Sequence, residues 1–330
     1  MRDTIHTSDL KVGMYVVIPS SWIKLPFFSR EFMITSQEQI DKIIEFGLAT
    51  IMIDTEKSAA VQTASPVAAN PASIPPRTWE PDKLVPPELR EAIHDRKLPP
   101  ETKSRIVYQC SLDLMGRLFE DPKTENIREA KAGIAEIVDL LISDDATSSA
   151  LLKITSYDFY TYTHSVNVGV FSVLLAKVLF NGSDAHDMHE LGAGFFLHDI
   201  GKVRIDPAII NKQGKLTEEE MQCMRTHPEE GYAILSETKQ LTEECKIIVL
   251  QHHERWDASG YPKKLKGDDI HTYGRICSIT DVYDALTTER SYQSKRDTFN
   301  ALKLMKEKLL GHFHQDIFEK FVMLFTRSGH

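Results

Sequence analysis

Cysteine is scarce in this chain of 330 residues: the four, Cys110, Cys223, Cys245 and Cys277, stand far apart and never in C-x-x-C spacing. That excludes a disulfide-stapled scaffold and a thiolate zinc site of the usual spacing, and it fits a reducing compartment. Long apolar runs are missing too. No uncharged apolar stretch approaches the ~20 residues that cross a bilayer, so no membrane span is expected. The amino terminus, MRDTIHTSDL, lacks the basic-then-apolar order of a secretory signal. The expected location is therefore cytoplasmic. Basic excess is also absent: 39 Lys and Arg face 48 Asp and Glu, a net charge of -9. Neither half of the chain carries the strongly basic footprint of a polymeric nucleic-acid binder. The length leaves room for two ordinary domains, or one large domain and an appendage.

What the chain does contain divides it. Residues 1–57 read as a small α/β or β-rich domain, because Met14–Ile18 and Thr50–Ile53 are short, apolar and β-branched. Between them Ser36 and Gln39 have capping-box spacing, and Ile40, Ile43 and Ile44 form one helical stripe before Gly47. That pattern predicts a single short helix on two or three strands. Residues 58–87 form a linker rich in Pro, Ala and Ser; seven of the fifteen prolines fall between Pro66 and Pro87. Proline removes a backbone donor and disfavours helix at its predecessor, so this segment is read as extended. Helical periodicity then takes over. Ile106, Cys110, Leu114 and Leu118 share one face, as do Ile127, Ile134, Ile137, Val138 and Leu141. Residues 88–148 are accordingly read as connecting helices packed on a domain at 149–330. Val166–Phe180 is apolar almost all round, interrupted by Asn167, Ser172 and Lys177, which predicts a central buried helix. No fixed-period repeat and little strand-like alternation follow the linker, so the second part is read as all-α.

Eleven of the thirteen histidines lie from His164 onward. His164, the His198 and Asp199 pair in LHDIGK, His227 in THPEEG, His252 and His253 in QHHERWDASGYP, and Asp281 in SITDVYDAL each stand in or beside an apolar segment. An unpaired imidazole or carboxylate there costs several kcal/mol unless it is hydrogen-bonded or bound to metal. A lone buried histidine is more often a hydrogen-bonded core residue than a ligand, so His164 alone is weak evidence. Adjacent His-Asp and His-His pairs are stronger, and a shared cation site explains all seven residues. Imidazole and carboxylate without thiolate suit Fe, Mn, Ni or Zn rather than Ca. Seven ligands overfill one ion, which takes about four to six. Two metals follow if one carboxylate bridges them, and Asp199 is the obvious bridge. His186, His189, His271, His312, His314 and His330 sit in polar or terminal contexts and are read as solvated surface; His6 and His94 have no partners nearby in sequence.

HDIGK followed by HHERWDASGYP resembles the HD-GYP family, the cyclic di-GMP phosphodiesterase branch of the HD-domain metal-dependent phosphohydrolases. The likeness covers roughly Ser149–Leu324, and the combination of motifs is far more specific than an HD dipeptide. DLKVGMYV, with Trp22, Pro26, Phe27 and Phe32 beyond it, is similar to a small domain of unknown role that often precedes HD-GYP modules.

The resemblance implies an all-α HD-type helical bundle. It also implies hydrolysis of cyclic di-GMP to pGpG, with cleavage onward to GMP left open, in bacterial second-messenger signalling. Carried onto this chain, one metal takes His164, His198, Asp199 and Asp281; the other takes Asp199 as bridge with His227, His252 and His253. Iron or manganese is the expected pair, with nickel or zinc as alternatives. Some members add a third metal through a glutamate one turn before the first histidine; Tyr160 stands there in this chain, so a binuclear site is expected. Two close cations lower the pKa of a bridging water, whose hydroxide attacks phosphorus in line with the leaving 3′ oxygen. Asp199 then acts as a ligand and not as a base.

Lys202, four residues after His198, is placed to neutralise charge on the phosphate if the helix continues. Substrate contacts are expected from Lys202, from Gly260, Tyr261 and Pro262, and from Arg290, whose planar fork suits phosphate or guanine. Three neighbours depart from the family pattern. Ala258 replaces a usual glycine, Ser291 a proline, and Gln293 a basic residue, with Lys295 or Arg296 as substitutes. If position 258 needs positive φ, alanine strains the loop by ~1 kcal/mol. Two alternatives stay open: a receptor that binds the dinucleotide with little turnover, and a phosphohydrolase for another cyclic dinucleotide. A homodimer and signalling partners such as cyclase-domain proteins are also left open.

Overall fold

The computed structural model describes residues 2–17, 31–34, 40, 43, 50–55, 84–155, 161–181, 183–210, 212, 214–288 and 296–326. Outside them lie Trp22, Pro26, Phe27, the Ser36 and Gln39 pair, most of the proline-rich segment, Tyr160, Arg290, Ser291, Gln293 and Lys295. The chain divides into two units, Met1–Arg77 and Thr78–His330.

The first unit is built on an antiparallel sheet of β1 (Arg2–His6), β2 (Tyr15–Val17), β3 (Glu31–Met33) and β4 (Thr50–Asp54), in the order β1-β4-β2-β3. Ile5 stands opposite Ile51, and Val16 lies between Ile53 and Phe32. Alternation puts Ile51 and Ile53 on one face of β4, where they join Leu10, Val16, Ile34, Ile40 and Ile43 in a small buried core. Ile40 and Ile43 are helical and supply the predicted apolar stripe. The sheet has four strands where the pattern predicts two or three. The two added ones carry weak signals: RDTIH has one apolar side chain, and EFM is only three residues long.

Among its described residues the second unit is all-α. Four helices come first: α1 (Pro87–His94), α2 (Pro100–Glu120), α3 (Thr124–Ser143) and α4 (Asp145–Ile154). The central α5 (Thr161–Leu179) and α6 (Met188–Phe196) follow. After a 3-10 turn at Ile200–Arg204 come α7 (Glu218–Met224), α8 (His227–Thr238) and α9 (Glu243–Gln251). The last three are α10 (Thr272–Thr287), α11 (Thr298–Lys308) and α12 (Gln315–Thr326).

Local chemistry sets several of these boundaries. Proline opens α1 and α2, where its missing N–H costs nothing, and Asp144 caps α4 by accepting from the Thr147 N–H at 2.9 Å. Every residue from Thr163 to Ala176 of α5 is buried, which is why its sequence shows no polar face. Helix α5 packs on α6, α10 and α2, and the predicted stripe of α3 is buried from Ile127 to Leu141. One core runs from Leu84 to Phe321, so the helices before α5 and those after it share a single hydrophobic interior. Leu84 and Val85, inside the proline-rich segment, belong to that core, and the Val85 N–H donates to Glu129 at 3.2 Å. Among the described residues no helix is long and apolar enough to cross a membrane.

Candidate metal centre

Five elements deliver the seven candidate ligands. His164 comes from the first turns of α5, His227 from the first residue of α8, and Asp281 from the body of α10. Helix α9 ends at Gln251, leaving His252 and His253 at its exit. Helix α6 stops at Phe196, and His198 and Asp199 occupy the turn that leads into Ile200–Arg204. Gly201 seats this turn on α8: a Cβ there would stand 1.9 Å from the His227 carbonyl oxygen and 2.4 Å from the Gly231 nitrogen. Because α6 does not continue, Lys202 does not lie one α-turn beyond His198. In the 3-10 turn it lies three residues after Asp199, and its ammonium pairs with Asp199 Oδ2.

The side chains converge in two groups, His164 with His198 and Asp281, and Asp199 with His227, His252 and His253. Asp199, 1% exposed, stands between them. Its Oδ1 faces His227 Nε2 at 3.2 Å and His252 Nε2 at 3.8 Å. Its Oδ2 faces His198 Nε2 at 3.5 Å and His164 Nε2 at 3.6 Å. Asp281 does the same on the other side, with Oδ1 at 3.0 Å from His164 Nε2 and Oδ2 at 3.3 Å from His253 Nδ1.

Four imidazoles are turned so that Nε2 points inward. His198, His227 and His252 give Nδ1 to the carbonyl oxygen three residues earlier, that of Phe195, Met224 and Val249, at 2.9, 2.8 and 2.8 Å. His164 gives Nδ1 to Asp284 at 2.7 Å. A carbonyl or carboxylate only accepts, so Nδ1 carries the proton; Nε2 of His198, His227 and His252 in the neutral ring presents a bare lone pair, whereas His164 Nε2 also donates, to Asp281. Two consequences test whether a cation fits. His198 Nε2 is buried with no hydrogen-bond partner, and His227 Nε2 lies 3.1 Å from His252 Nε2, lone pair to lone pair when both rings are neutral. A buried donor set of this kind needs a shared electrophile, and a divalent ion in each group meets the need.

Burial is the largest influence on these groups, and it opposes every charge. At Asp199 it is outweighed by Lys202 and then by His198 and His227, which hold the carboxyl well below the usual range. Asp281 is lowered as well, burial being overcome by the hydrogen bond from His164. Burial pushes His198 and His252 down, and His253 down to about 3. His164 goes the other way: burial disfavours its imidazolium, but hydrogen bonds to Asp281 and Asp284 push it up to about 9. A cation held by His164 at neutral pH would have to displace a proton from it.

Linkage turns these shifts into a stability profile for the metal-free protein. His198, His252 and His253 bind protons near 6.5 only after unfolding, so acid favours the unfolded chain. The His164 contribution is complete below 6.5 and is lost as pH rises through 9. Stability is thus expected to fall on both sides of pH 6.5, and acidification to pH 5 costs about 2 kcal/mol through His253 alone. Thermal unfolding in chelator at pH 5, 6.5 and 9 checks this; a melting temperature that rises toward acid contradicts it.

Comparison with known proteins fits the geometry. Residues 170–317 match the family model of the HD domain, and residues 3–140 match a domain of unknown function, DUF3391. A cyclic di-GMP phosphodiesterase of Pseudomonas aeruginosa is 30% identical over 98% of this chain and 76% of its own length. The chain belongs to the HD-GYP branch of the HD-domain family. HD-domain phosphohydrolases depend on metal ions, in keeping with the two His and Asp groups. A 3′3′-cGAMP-specific phosphodiesterase of Vibrio cholerae is 50% identical over 29% of this chain, which spans 19% of that protein. An HDG"Y"P protein from Bdellovibrio bacteriovorus shares the fold, with a TM-score of 0.62 over 99% of this chain and 100% of that one at 18% identity. The HD match starts after His164, and the DUF3391 match extends through α1, α2 and most of α3.

The loop that names the HD-GYP branch folds back onto His253. The Tyr261 N–H donates to the His253 carbonyl at 3.2 Å, and the two ring centroids are 4.7 Å apart. Gly260 permits this approach, since a Cβ would stand 2.5 Å from the same carbonyl oxygen and 2.4 Å from the Arg255 nitrogen. Pro262 follows, partly buried. Burial and then Asp281 and Asp199 push the Tyr261 hydroxyl up, so it stays neutral. The Arg225 guanidinium lies over the Tyr261 ring at 5.6 Å. Glu254, 1% exposed, accepts from the N–H groups of Lys263 and Leu265 at 2.6 and 2.9 Å and holds the far side of the loop.

Ala258 has φ 65, the left-handed conformation that penalises a Cβ. Ala258→Gly is accordingly expected to stabilise the protein by about 1 kcal/mol with metal content unchanged. Thermal melting against wild type checks this, and a lower melting temperature contradicts it.

Asp284, Glu254 and Arg225 are additions to the sequence reading. Asp284 lies one helical turn after Asp281 and Glu254 directly after His253, so spacing offered a signal for both. Arg225 meets Tyr261 across 36 positions and offered none. The other histidines divide differently from the surface reading. His189 is exposed, but His186 stacks on Phe180 at 3.8 Å and bonds the Tyr273 hydroxyl at 2.7 Å. His271 caps α10 through the Tyr273 N–H, the His312 carbonyl accepts from Trp256, and His314 packs edge-on to the Trp256 ring. The His271 cap is local, but Tyr273 is distant in the chain from His186, and Trp256 from His312 and His314, which a polar local context conceals. His330 lies outside the described residues.

Proposed function

We propose that His164, His198, Asp199 and Asp281 hold one divalent cation, that Asp199, His227, His252 and His253 hold a second, and that the protein hydrolyses cyclic di-GMP to pGpG. The observation that carries this reading is the division of the two Asp199 oxygens between two sets of inward-facing Nε2 atoms. Two bound divalent cations supply Lewis acidity, neutralising phosphodiester oxygens and acidifying water. The donor set suits iron or manganese, with nickel or zinc next. Asp199 is too weak a base to take a proton at neutral pH and serves as a ligand.

The Lys202 ammonium, partly exposed beside Asp199, meets negative charge on the incoming phosphate. Tyr261 offers a ring face to a base, Gly260 and Pro262 shape the loop around it, and Arg225 brings a planar cation suited to phosphate or guanine; the same role is proposed for Arg290 on the family resemblance alone. Lys202→Met is expected to lower turnover about 100-fold with two metals retained, read by steady-state kinetics and metal analysis. Equal turnover removes Lys202 from the chemistry.

The relatives act on cyclic di-GMP in one case and on 3′3′-cGAMP in another. Both dinucleotides are therefore tested side by side, using protein loaded anaerobically with Fe, Mn or Ni and products resolved by chromatography. Conversion of cyclic di-GMP to pGpG ahead of 3′3′-cGAMP turnover is the expected result. Faster 3′3′-cGAMP turnover reassigns the substrate, and unchanged peaks with every metal overturn the enzyme reading in favour of a receptor.

A further inference from the structure

We propose that Tyr108, on α2, is a positioning residue for the metal centre, acting on His164 through Asn167 and Asp284. The inference rests on the reading that His164 holds a cation.

Tyr108, Asn167 and Asp284 are 7%, 0% and 1% exposed, and they form one hydrogen-bonded chain. The Tyr108 hydroxyl donates to Asn167 Oδ1 at 2.8 Å, Asn167 Nδ2 donates to Asp284 Oδ1 at 2.7 Å, and Asp284 Oδ2 accepts from His164 Nδ1 at 2.7 Å. Each link fixes the direction of the next. A carboxylate can only accept, so Asn167 must turn its NH₂ group toward Asp284, which leaves its oxygen facing Tyr108. Asp284 selects this amide orientation, since the flipped one would set two oxygens against each other, and the phenol donates to the Asn167 oxygen and holds the amide in place. Asp284 is then held with one oxygen free for His164, and the His164 proton stays on Nδ1.

His198, His227 and His252 need no such arrangement. Their Nδ1 atoms are set by carbonyl groups three residues earlier, within their own segments. His164 is instead set by Asp284, 120 positions away in α10, and, through Asn167, by Tyr108 of α2, 59 positions before Asn167. That helix lies in the stretch matching DUF3391, outside the HD match. The metal centre therefore draws on the helices before the HD match for the geometry of one ligand.

Tyr108→Phe in the full chain removes only the hydroxyl and keeps the ring in the core. Mn(II) and Co(II) are titrated into variant and wild type against a chromophoric chelator, the Co(II) absorption spectrum is recorded, and the melting temperature is measured in chelator. The expected result is about tenfold weaker binding at one of two sites, the other unchanged, with an altered Co(II) spectrum. Asn167→Leu is expected to weaken the same site. A merely structural role would lower the melting temperature and leave affinity and spectrum as in wild type, which overturns the proposal. Wild-type protein that takes up no cation overturns this proposal and the reading of the site together, whereas two cations held equally by wild type and Tyr108→Phe overturns this proposal alone.

Discussion

Asp199→Ala is expected to lower turnover of cyclic di-GMP about 10⁴-fold, equivalent to about 5.4 kcal/mol at the transition state, and to abolish binding of a metal pair. The magnitude follows from position. Asp199 faces both ligand groups with one oxygen for each, at the centre of the cluster and opposite Asp281, so its removal takes a donor from both groups at once. It also leaves the Lys202 ammonium without its carboxylate beside two cations, and that repulsion adds to the loss. Deleting His227 or His198 removes a ligand from one group only and is expected to cost less. Metal analysis and steady-state kinetics on the purified variant check the prediction, and two retained equivalents contradict the bridge. His312→Ala is the matched control: its ring lies beside Asp257, away from both ligand groups, and metal content is expected to stay at the wild-type level.

The second large effect comes from a residue with no side chain. Gly201→Ala is expected to destabilise the protein by about 3 kcal/mol or more and to weaken metal binding in both groups. The added Cβ would fall 1.9 Å from the His227 carbonyl oxygen, well inside contact distance, and that oxygen belongs to the first turn of α8. Gly231, one turn further on, accepts the same close approach from the opposite side. Relief requires the turn carrying His198 and Asp199 to move off α8, which separates Asp199 from His227. The melting temperature of the metal-free variant and its metal affinity measure the two effects independently. Wild-type values for both contradict the account of how Asp199 is delivered.

The clustering of the site residues was legible because imidazole and carboxylate pairs are conspicuous in apolar surroundings. His198 with Asp199, and His252 with His253, are costly in apolar segments unless something binds them, and the structure brings these four together with His164, His227 and Asp281. The helical bundle was legible for a related reason: the α3 stripe and the uniform apolarity of α5 report one-sided and all-round burial directly. The parts that escaped depend on contacts distant in sequence. Nothing local marks Tyr108 as a partner of Asn167, or Arg225 as a neighbour of Tyr261. Lys202 was placed by assuming that α6 continued, and the turn at Leu197–Asp199 moved it onto Asp199 instead. In the first unit, β1 and β3 escaped because pairing with β4 and β2, and not their own composition, makes them strands.

The most direct test of the account is the metal stoichiometry of the wild-type protein, loaded anaerobically with iron or manganese, freed of excess metal and measured by elemental analysis. Two equivalents per chain are predicted, one for each side of Asp199. A single equivalent, or none, would contradict the division of the seven ligands into two sites.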